Sequence, residues 1–322
     1  MMDAVQRLLA GDQRTLSRLI SALDRRDPSV LPVMKEIDRH TGRAYTIGIT
    51  GPPGVGKSTL VDGLTELLRQ EGQTVGIIAV DPTSPFSGGA LLGDRIRMQR
   101  HYLDSGVFIR SIATRGQSGG LPRVVKSLVR LLDASGKDVI LVETVGVGQT
   151  ELGIMGVADT VVVALMPGAG DAIQTLKAGI MEIADIYLVN KSDQPGADQL
   201  VAAIRSTLQL APENSGWNPP VVTSQARTGE GINQLWARVQ EHQQFLRTSS
   251  QLEQRRSQRR QREFLEAVEE ELGRRVKALL QEDTNLQSIW KAISNREIEP
   301  YSAALEFLDS WGFPVLATGG DR

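Results

Sequence analysis

The sequence predicts an α/β fold: a mostly parallel central sheet with helices on both faces, a helical cap before it and a helical arm after it. Three observations carry this. Apolar, β-branched runs alternate with amphipathic helical stretches from Ala44 to about Leu246, the pattern of a parallel sheet covered on both sides. Within it, Gly51-Pro52-Pro53-Gly54-Val55-Gly56-Lys57-Ser58-Thr59 fits G-x-x-x-x-G-K-[ST], between a strand pattern and a helical one. From about Ser249 the composition shifts to a charged stretch with one apolar stripe. The boundaries expected are 1–42 for the cap, 43–248 for the sheet domain and 249–322 for the arm.

Composition narrows the function classes. At 322 residues, 40% hydrophobic and 23% charged, the chain can bury one large α/β core with appendages. A formal charge of −2 gives no basis for nucleic acid or an anionic membrane as main partner. The absence of Cys excludes disulfides and thiolate metal sites and fits a reducing compartment. His40, His101 and His242 lie far apart and share no ligand spacing, which points to ordinary surface or packing roles. No apolar run approaches the ~20 residues of a membrane span, and the N-terminus lacks a signal-peptide core. A cytoplasmic protein is expected.

In the cap, Val5, Leu8 and Leu9, then Leu16, Leu19, Ile20 and Leu23, recur at helical spacing. Pro28 and Pro32 punctuate before a third short helix at Val33–Ile37. The cap either packs on the next domain or offers a partner surface. Strands are expected at Ala44–Thr50, Thr74–Val80, Val107–Arg110, Val139–Val142, Thr160–Leu165, Ile186–Val189 and Pro220–Thr223. Leu60, Leu64, Leu67 and Leu68 mark one face of the helix after the first strand. Ligands of such sheets bind beyond the carboxyl ends of the strands, and the motifs fall there.

The backbone from Gly54, Val55 and Gly56 to Thr59 would curl around a phosphate, its N–H groups and the helix N-terminus facing the anion. Lys57 would reach the β- and γ-phosphates, and the Ser58 hydroxyl would bind Mg²⁺. Asp81, followed by Pro82, is either a carboxylate for Mg²⁺ or its bound water, or a simple Asp-Pro turn. Glycine-rich loops at Ser87–Arg95 and Thr114–Gly120 suit segments over a nucleotide, or are simply flexible. Glu143-Thr144-Val145-Gly146 is similar to D-x-x-G with Glu for Asp. Glu143 would reach Mg²⁺ through water and the Gly146 N–H would sense a γ-phosphate; a glycine turn explains it as well. Asn190-Lys191-Ser192-Asp193 fits N-K-x-D. The Asp193 carboxylate would accept from the ring N–H and amine of guanine, Asn190 would meet the base edge and Lys191 would pack on the ring. Adenine lacks that donor pair and would leave the carboxylate unpaired. Gln225 and Ala226 stand where a backbone loop would lie under the base.

In the arm, Arg255, Arg256, Arg259, Arg260 and Arg262 precede Glu266, Glu269, Glu270 and Glu271, which reads as a solvated, salt-bridged helix rather than a basic patch. Leu265, Val268, Leu272, Val276 and Leu279 form one stripe that would fold back on its own domain or pair with a second subunit. Another helix is expected near Tyr301–Leu308, and a disordered end over the last five residues.

Together these motifs resemble the MeaB/MMAA/ArgK family of P-loop GTPases, SIMIBI-class chaperones of adenosylcobalamin-dependent acyl-CoA mutases, chiefly methylmalonyl-CoA mutase. The specific stretches are the phosphate loop, Ala79–Ser84, Gly88–Arg95, Val142–Glu151 and Pro167–Asp171. The resemblance implies GTP hydrolysis with Mg²⁺ surrounded by Ser58, Asp81 and Glu143. It implies a first switch containing Asp94, a second after Glu143, and a third from about Pro167 to Lys177, where Lys177 would swing toward the nucleotide when the mutase docks. It also implies a homodimer through the arm, with adenosylcobalamin carried by the partner. The chain departs from the family pattern at Gln225, Ser118 and Thr175, in segments that sense the base or the partner. Val147 stands where Ras-like GTPases place a glutamine, so slow turnover alone and acceleration by the partner are expected. The other readings are a metal-insertion GTPase, an ArgK-like ATPase or kinase linked to amino-acid transport, and a nucleotide-gated binding module.

Overall fold

A computed structural model describes residues 2–81, 98–113, 121, 123–144, 153–168, 180–210 and 216–310. It divides into two compact units, Met1–Arg256 and Ser257–Arg322.

In the first unit, seven strands form one parallel sheet in the order β3-β2-β4-β1-β5-β6-β7. They are β1 (Tyr45–Thr50), β2 (Val75–Asp81), β3 (Val107–Ala113), β4 (Val139–Glu143), β5 (Thr160–Leu165), β6 (Ile186–Asn190) and β7 (Val221–Ser224). All seven were legible as apolar runs. The structure extends β2, β4 and β6 to the polar residues that end them, because the ladder continues: Ala79 pairs with Glu143 across β2 and β4, and Asn190 with Ser224 across β6 and β7. It carries β3 on to Ala113, paired with Asp81. Arg110 and Ser111 hide that extension in the sequence because β3 is an edge strand and tolerates polar side chains.

Alternate residues of the buried strands serve two cores. Ile47, Ile49, Ile77, Leu141, Val162 and Leu188 face the side covered by α4 (Lys57–Gln70) and α7 (Ile232–Thr248). Ile78, Val80, Ile140, Val142, Val163 and Tyr187 face the side of α5 (Arg123–Ala134) and α6 (Ala197–Leu210). The cap helices α1 (Met2–Leu9), α2 (Gln13–Asp24) and α3 (Leu31–Ile37) join this second core, with Leu8, Leu16, Ile20 and Ile37 buried beside Val125, Leu128, Leu131 and Leu132 of α5. Asp12 caps α2 by accepting from the Thr15 N–H. The cap therefore packs on the sheet domain, the plainer of its two readings.

The first turns of α8 (Gln251–Glu282) belong to this unit, and two of the arm's arginines bond to the sheet domain there. Arg256 forks onto Asp159, 2.6 and 3.1 Å, and onto the carbonyls of Gly42 and Ala44 at 2.6 and 2.8 Å. Arg255 reaches Asp185 at 3.1 Å. The charge run concealed this because helical periodicity does not show which arginines turn inward.

In the second unit α8 continues, followed by α9 (Thr284–Ser294) and α10 (Pro300–Ser310). Surface pairs join Glu271 to Arg274 and Arg275, as expected of a salt-bridged helix. Of the α8 stripe, Leu265, Val268 and Leu272 are exposed and Val276 and Leu279 half-buried, with Phe264 exposed beside them. Helix α9 has a signal that the periodicity argument passed over: the Asp283 carboxylate caps it by accepting from Asn285 and Leu286. No described helix is long and apolar enough to cross a membrane.

Candidate nucleotide site

Strand β1 lies between β4 and β5, so the chain leaves it toward β2 on one side and returns to β5 on the other. That reversal opens a crevice at the carboxyl ends, where such sheets bind ligands. The phosphate loop starts there. Its geometry depends on two glycines. A Cβ on Gly51, at φ 140°, would stand 2.0 Å from the Ala164 carbonyl, and one on Gly56, at φ 98°, would stand 2.6 Å from Asn190 Nδ2. The loop is thus pressed against the ends of β5 and β6, and any side chain at these two positions would push it away. At its root the buried Thr144 hydroxyl donates to Thr50 Oγ1 at 2.8 Å, tying β4 to β1. Neither threonine carries a motif signal.

Gly56 is the N-cap of α4 and offers no side-chain cap, so the helix's first N–H groups face the loop. Thr59 is half-buried in the first turn. Lys57 is buried, and its ammonium spans the loop to the carbonyls of Gly51 at 2.8 Å and Pro52 at 3.0 Å. A cation held inside a ring of backbone is placed to meet a polyphosphate.

Ser58, Asp81 and Glu143 are all buried. The Ser58 hydroxyl donates to Glu143 Oε1 at 2.7 Å, which turns its lone pairs away from the carboxylate. Asp81 ends β2 two residues beyond Ala79, the register partner of Glu143. One hydroxyl and two carboxylates are hard oxygen donors. This set fits Mg²⁺, which takes one or two carboxylates and leaves the remaining positions to phosphate and water.

The N-K-x-D segment is a structural hub. Asn190, at the end of β6, is 3% exposed. Its Nδ2 donates to the Val55 carbonyl at 2.7 Å, and its Oδ1 accepts from the Ser224 hydroxyl and the Ala226 N–H, both at 3.0 Å. One side chain therefore holds the phosphate loop, β6 and the loop after β7 together. It was expected to meet the base edge; the structure engages both ends of its amide with protein. The Ala226 N–H, expected under the base, is among those partners. Gln225 opens a tight turn, its carbonyl accepting from Thr228 and Gly229. Lys191 takes φ 57°, uncommon for a side-chain-bearing residue. Its ammonium donates to the Gly54 carbonyl at 2.8 Å and lies 3.3 Å from Met166 Sδ. Asp193 is exposed, open to a base edge. Asp94, Gly146 and Lys177, with Ser118 and Thr175, lie outside the described residues.

The histidines stand apart from this site. His242 is fully buried, its Nδ1 2.8 Å from Thr160 Oγ1 and its ring 4.8 Å from that of Trp217. His101 lies 3.0 Å from Asp62, and His40 is exposed.

A site of this kind describes many nucleotide hydrolases, and sequence comparison separates them. The family model for the methylmalonyl Co-A mutase-associated GTPase MeaB matches residues 16–281. The chain belongs to the MeaB family of GTPases. A Pyrococcus horikoshii protein, provisionally described as a GTPase, is 47% identical over 305 residues, covering 94% of this chain and 95% of its own. The GTPase ArgK of Escherichia coli is 32% identical over 306 residues, covering 92% of each chain. Among solved structures, a LAO/AO transport system kinase matches with a TM-score of 0.74 at 27% identity, covering 96% of both chains. This MeaB-family protein is a GTPase, with the phosphate loop and the N-K-x-D turn at the carboxyl ends of one parallel sheet.

Proposed function

We propose that this GTPase is a chaperone of an adenosylcobalamin-dependent acyl-CoA mutase, methylmalonyl-CoA mutase or a relative, assisting its loading, protection or reactivation. The observation that carries the reading is the extent of the family match. It runs from the cap helices through the sheet into α8, so it spans more than a shared nucleotide fold.

GTP would bind with its phosphates along Gly51–Thr59 and its base at Asn190–Asp193. Lys57 would leave the carbonyls it now spans to offset charge gathering on the γ-phosphate as water attacks in line. Ser58, with Asp81 and Glu143 directly or through water, would hold Mg²⁺, which would supply positive charge to neutralise the polyphosphate. The reading keeps the roles expected of Asp94, Gly146 and Lys177 in the switches, with the mutase completing the site and accelerating turnover. Adenosylcobalamin would belong to the partner, since the chain carries no D-x-H-x-x-G. Two such chains would pair through the arm, residues 249–322, whose α8 stripe is partly exposed within its own unit, and the protein would work in the cytoplasm.

The test is steady-state GTP hydrolysis with and without a purified adenosylcobalamin-dependent mutase from the same organism. Clear acceleration is expected. Slow hydrolysis that no such mutase changes would remove the chaperone assignment and leave the GTPase. A second reading follows from the LAO/AO transport system kinase match: phosphoryl transfer from ATP. The exposed Asp193 carboxylate disfavours it, and ATP competing as well as GTP would support it.

A further inference from the structure

We propose that Met166 is a positioning residue for the guanine ring, acting through Lys191. A lysine stem has four rotatable carbons and lies flat along a purine only if its tip and one side are fixed. The tip is fixed by the Gly54 carbonyl at 2.8 Å. Gly54 itself is exposed and has no side chain to form a wall. Met166 provides one. Its sulfur lies 3.3 Å from the Lys191 ammonium, and its methyl lies 4.0 Å from where a Cβ on Gly54 would stand. A thioether is polarisable, adaptable and only a weak acceptor, so it confines the ammonium end of the side chain without neutralising the charge.

Met166 is well founded for this role. It directly follows β5 and packs against the core on the α4 side. The next residue, Pro167, is buried, its Cβ 3.8 Å from where a Cβ on Gly196 would stand, in the turn after Asp193. The end of β5 is thus wedged between the phosphate loop and the base turn. No motif contains Met166; only the fold brings it under Lys191. The inference rests on guanine-nucleotide binding by this chain and not on the identity of any partner.

The experiment is release of fluorescently labelled GDP from the full chain, measured for Met166→Ala, Met166→Leu, Lys191→Ala and Met166→Ala/Lys191→Ala. Competition by inorganic tripolyphosphate, which has no base, runs in parallel. Met166→Ala should speed release about five- to tenfold. Met166→Leu, which keeps a wall of similar size, should stay within about twofold of the parent. The double variant should release GDP no faster than Lys191→Ala alone, and tripolyphosphate should compete equally well against the parent and both single Met166 variants. Losses that add in the double variant would overturn the proposal. So would tripolyphosphate affinity falling with Met166→Ala, or unchanged release from Lys191→Ala. Met166→Leu guards against a folding defect: release as fast as from Met166→Ala would also refute the role of the wall.

Discussion

Asn190→Ala tests whether the asparagine of the N-K-x-D turn is first a tie within the protein or first a contact to the base. The substitution deletes three hydrogen bonds to buried partners: the Val55 carbonyl, the Ser224 hydroxyl and the Ala226 N–H. A buried polar group left without its partner costs about 1–3 kcal/mol, so three would sum to several. A water entering the vacated space would recover part of this. The expected loss for the nucleotide-free protein is about 2–4 kcal/mol. At an m-value of about 3 kcal/mol/M, the urea midpoint would fall by roughly 1 M. The assay is urea unfolding without nucleotide, followed by GDP titration of the variant. Asn190→Asp adds a control with a sign. It keeps an acceptor for Ser224 and Ala226 but sets a carboxylate oxygen against the Val55 carbonyl. It should therefore destabilise at neutral pH and recover as acid protonates that oxygen into a donor. If Asn190→Ala leaves the urea midpoint within about 0.2 M of the parent while GDP binding is lost, the tie is unimportant and the side chain serves the base alone.

Four further outcomes follow from the structure. Lys57→Ala should abolish GTP hydrolysis, measured as phosphate release; an unchanged rate would remove the phosphate loop from the mechanism. Asp193→Asn should erode the preference for GTP over ATP in a competition assay, and full retention would refute the guanine assignment. Arg256→Ala should cost about 3–5 kcal/mol in urea unfolding, because the buried Asp159 carboxylate loses its ion pair; Arg256→Lys should rescue little, since one ammonium cannot serve the carboxylate and two carbonyls as the guanidinium fork does. The Asp104 carboxyl is held below its ordinary 3.8 chiefly by the hydrogen bond from Arg69. A depressed carboxylate stabilises above its unfolded pKa and loses that contribution as pH falls through its folded value. Asp104→Asn should accordingly flatten the acid limb of the stability profile below about pH 4, and an unchanged limb would remove the pair from the acid response.

What the sequence reveals about this fold tracks the physical range of each signal. The five inner strands are legible because each is buried on both faces and so reads as an apolar run, while the edge strands β3 and β7 show only their short apolar starts. The phosphate loop is legible because its glycines answer to local backbone geometry, and Gly51 and Gly56 are where the structure permits nothing larger. Strand order does not leave such a trace. Nothing near Glu143 in the sequence shows that β4 adjoins β1 and β2, which is what brings this carboxylate to the Ser58 hydroxyl. Thr50, Thr144, Ser224 and Met166 were missed for the same reason. Each acts through one contact to a residue distant in sequence, and a lone hydroxyl or thioether has no spacing to betray it.

The same distinction explains the role of the two inward arginines. Asp159 and Asp185 directly precede β5 and β6, and each closes a ladder by accepting from a neighbouring strand, at the N–H groups of Thr46 and Val161. At the other ends of these strands lie Met166 and Asn190, both against the phosphate loop. Asn190 lies five positions after Asp185, about 16 Å of extended chain. A one-residue slip of β6 would carry its apolar side chains to the wrong face, so its register is fixed by both cores. The anchor of the α8 root and the tie of the N-K-x-D turn are therefore held at a set distance by one buried strand. Arg255 and Arg256 secure the first turns of α8 to β5 and β6, and they do so through groups that belong to the sheet's own hydrogen bonding.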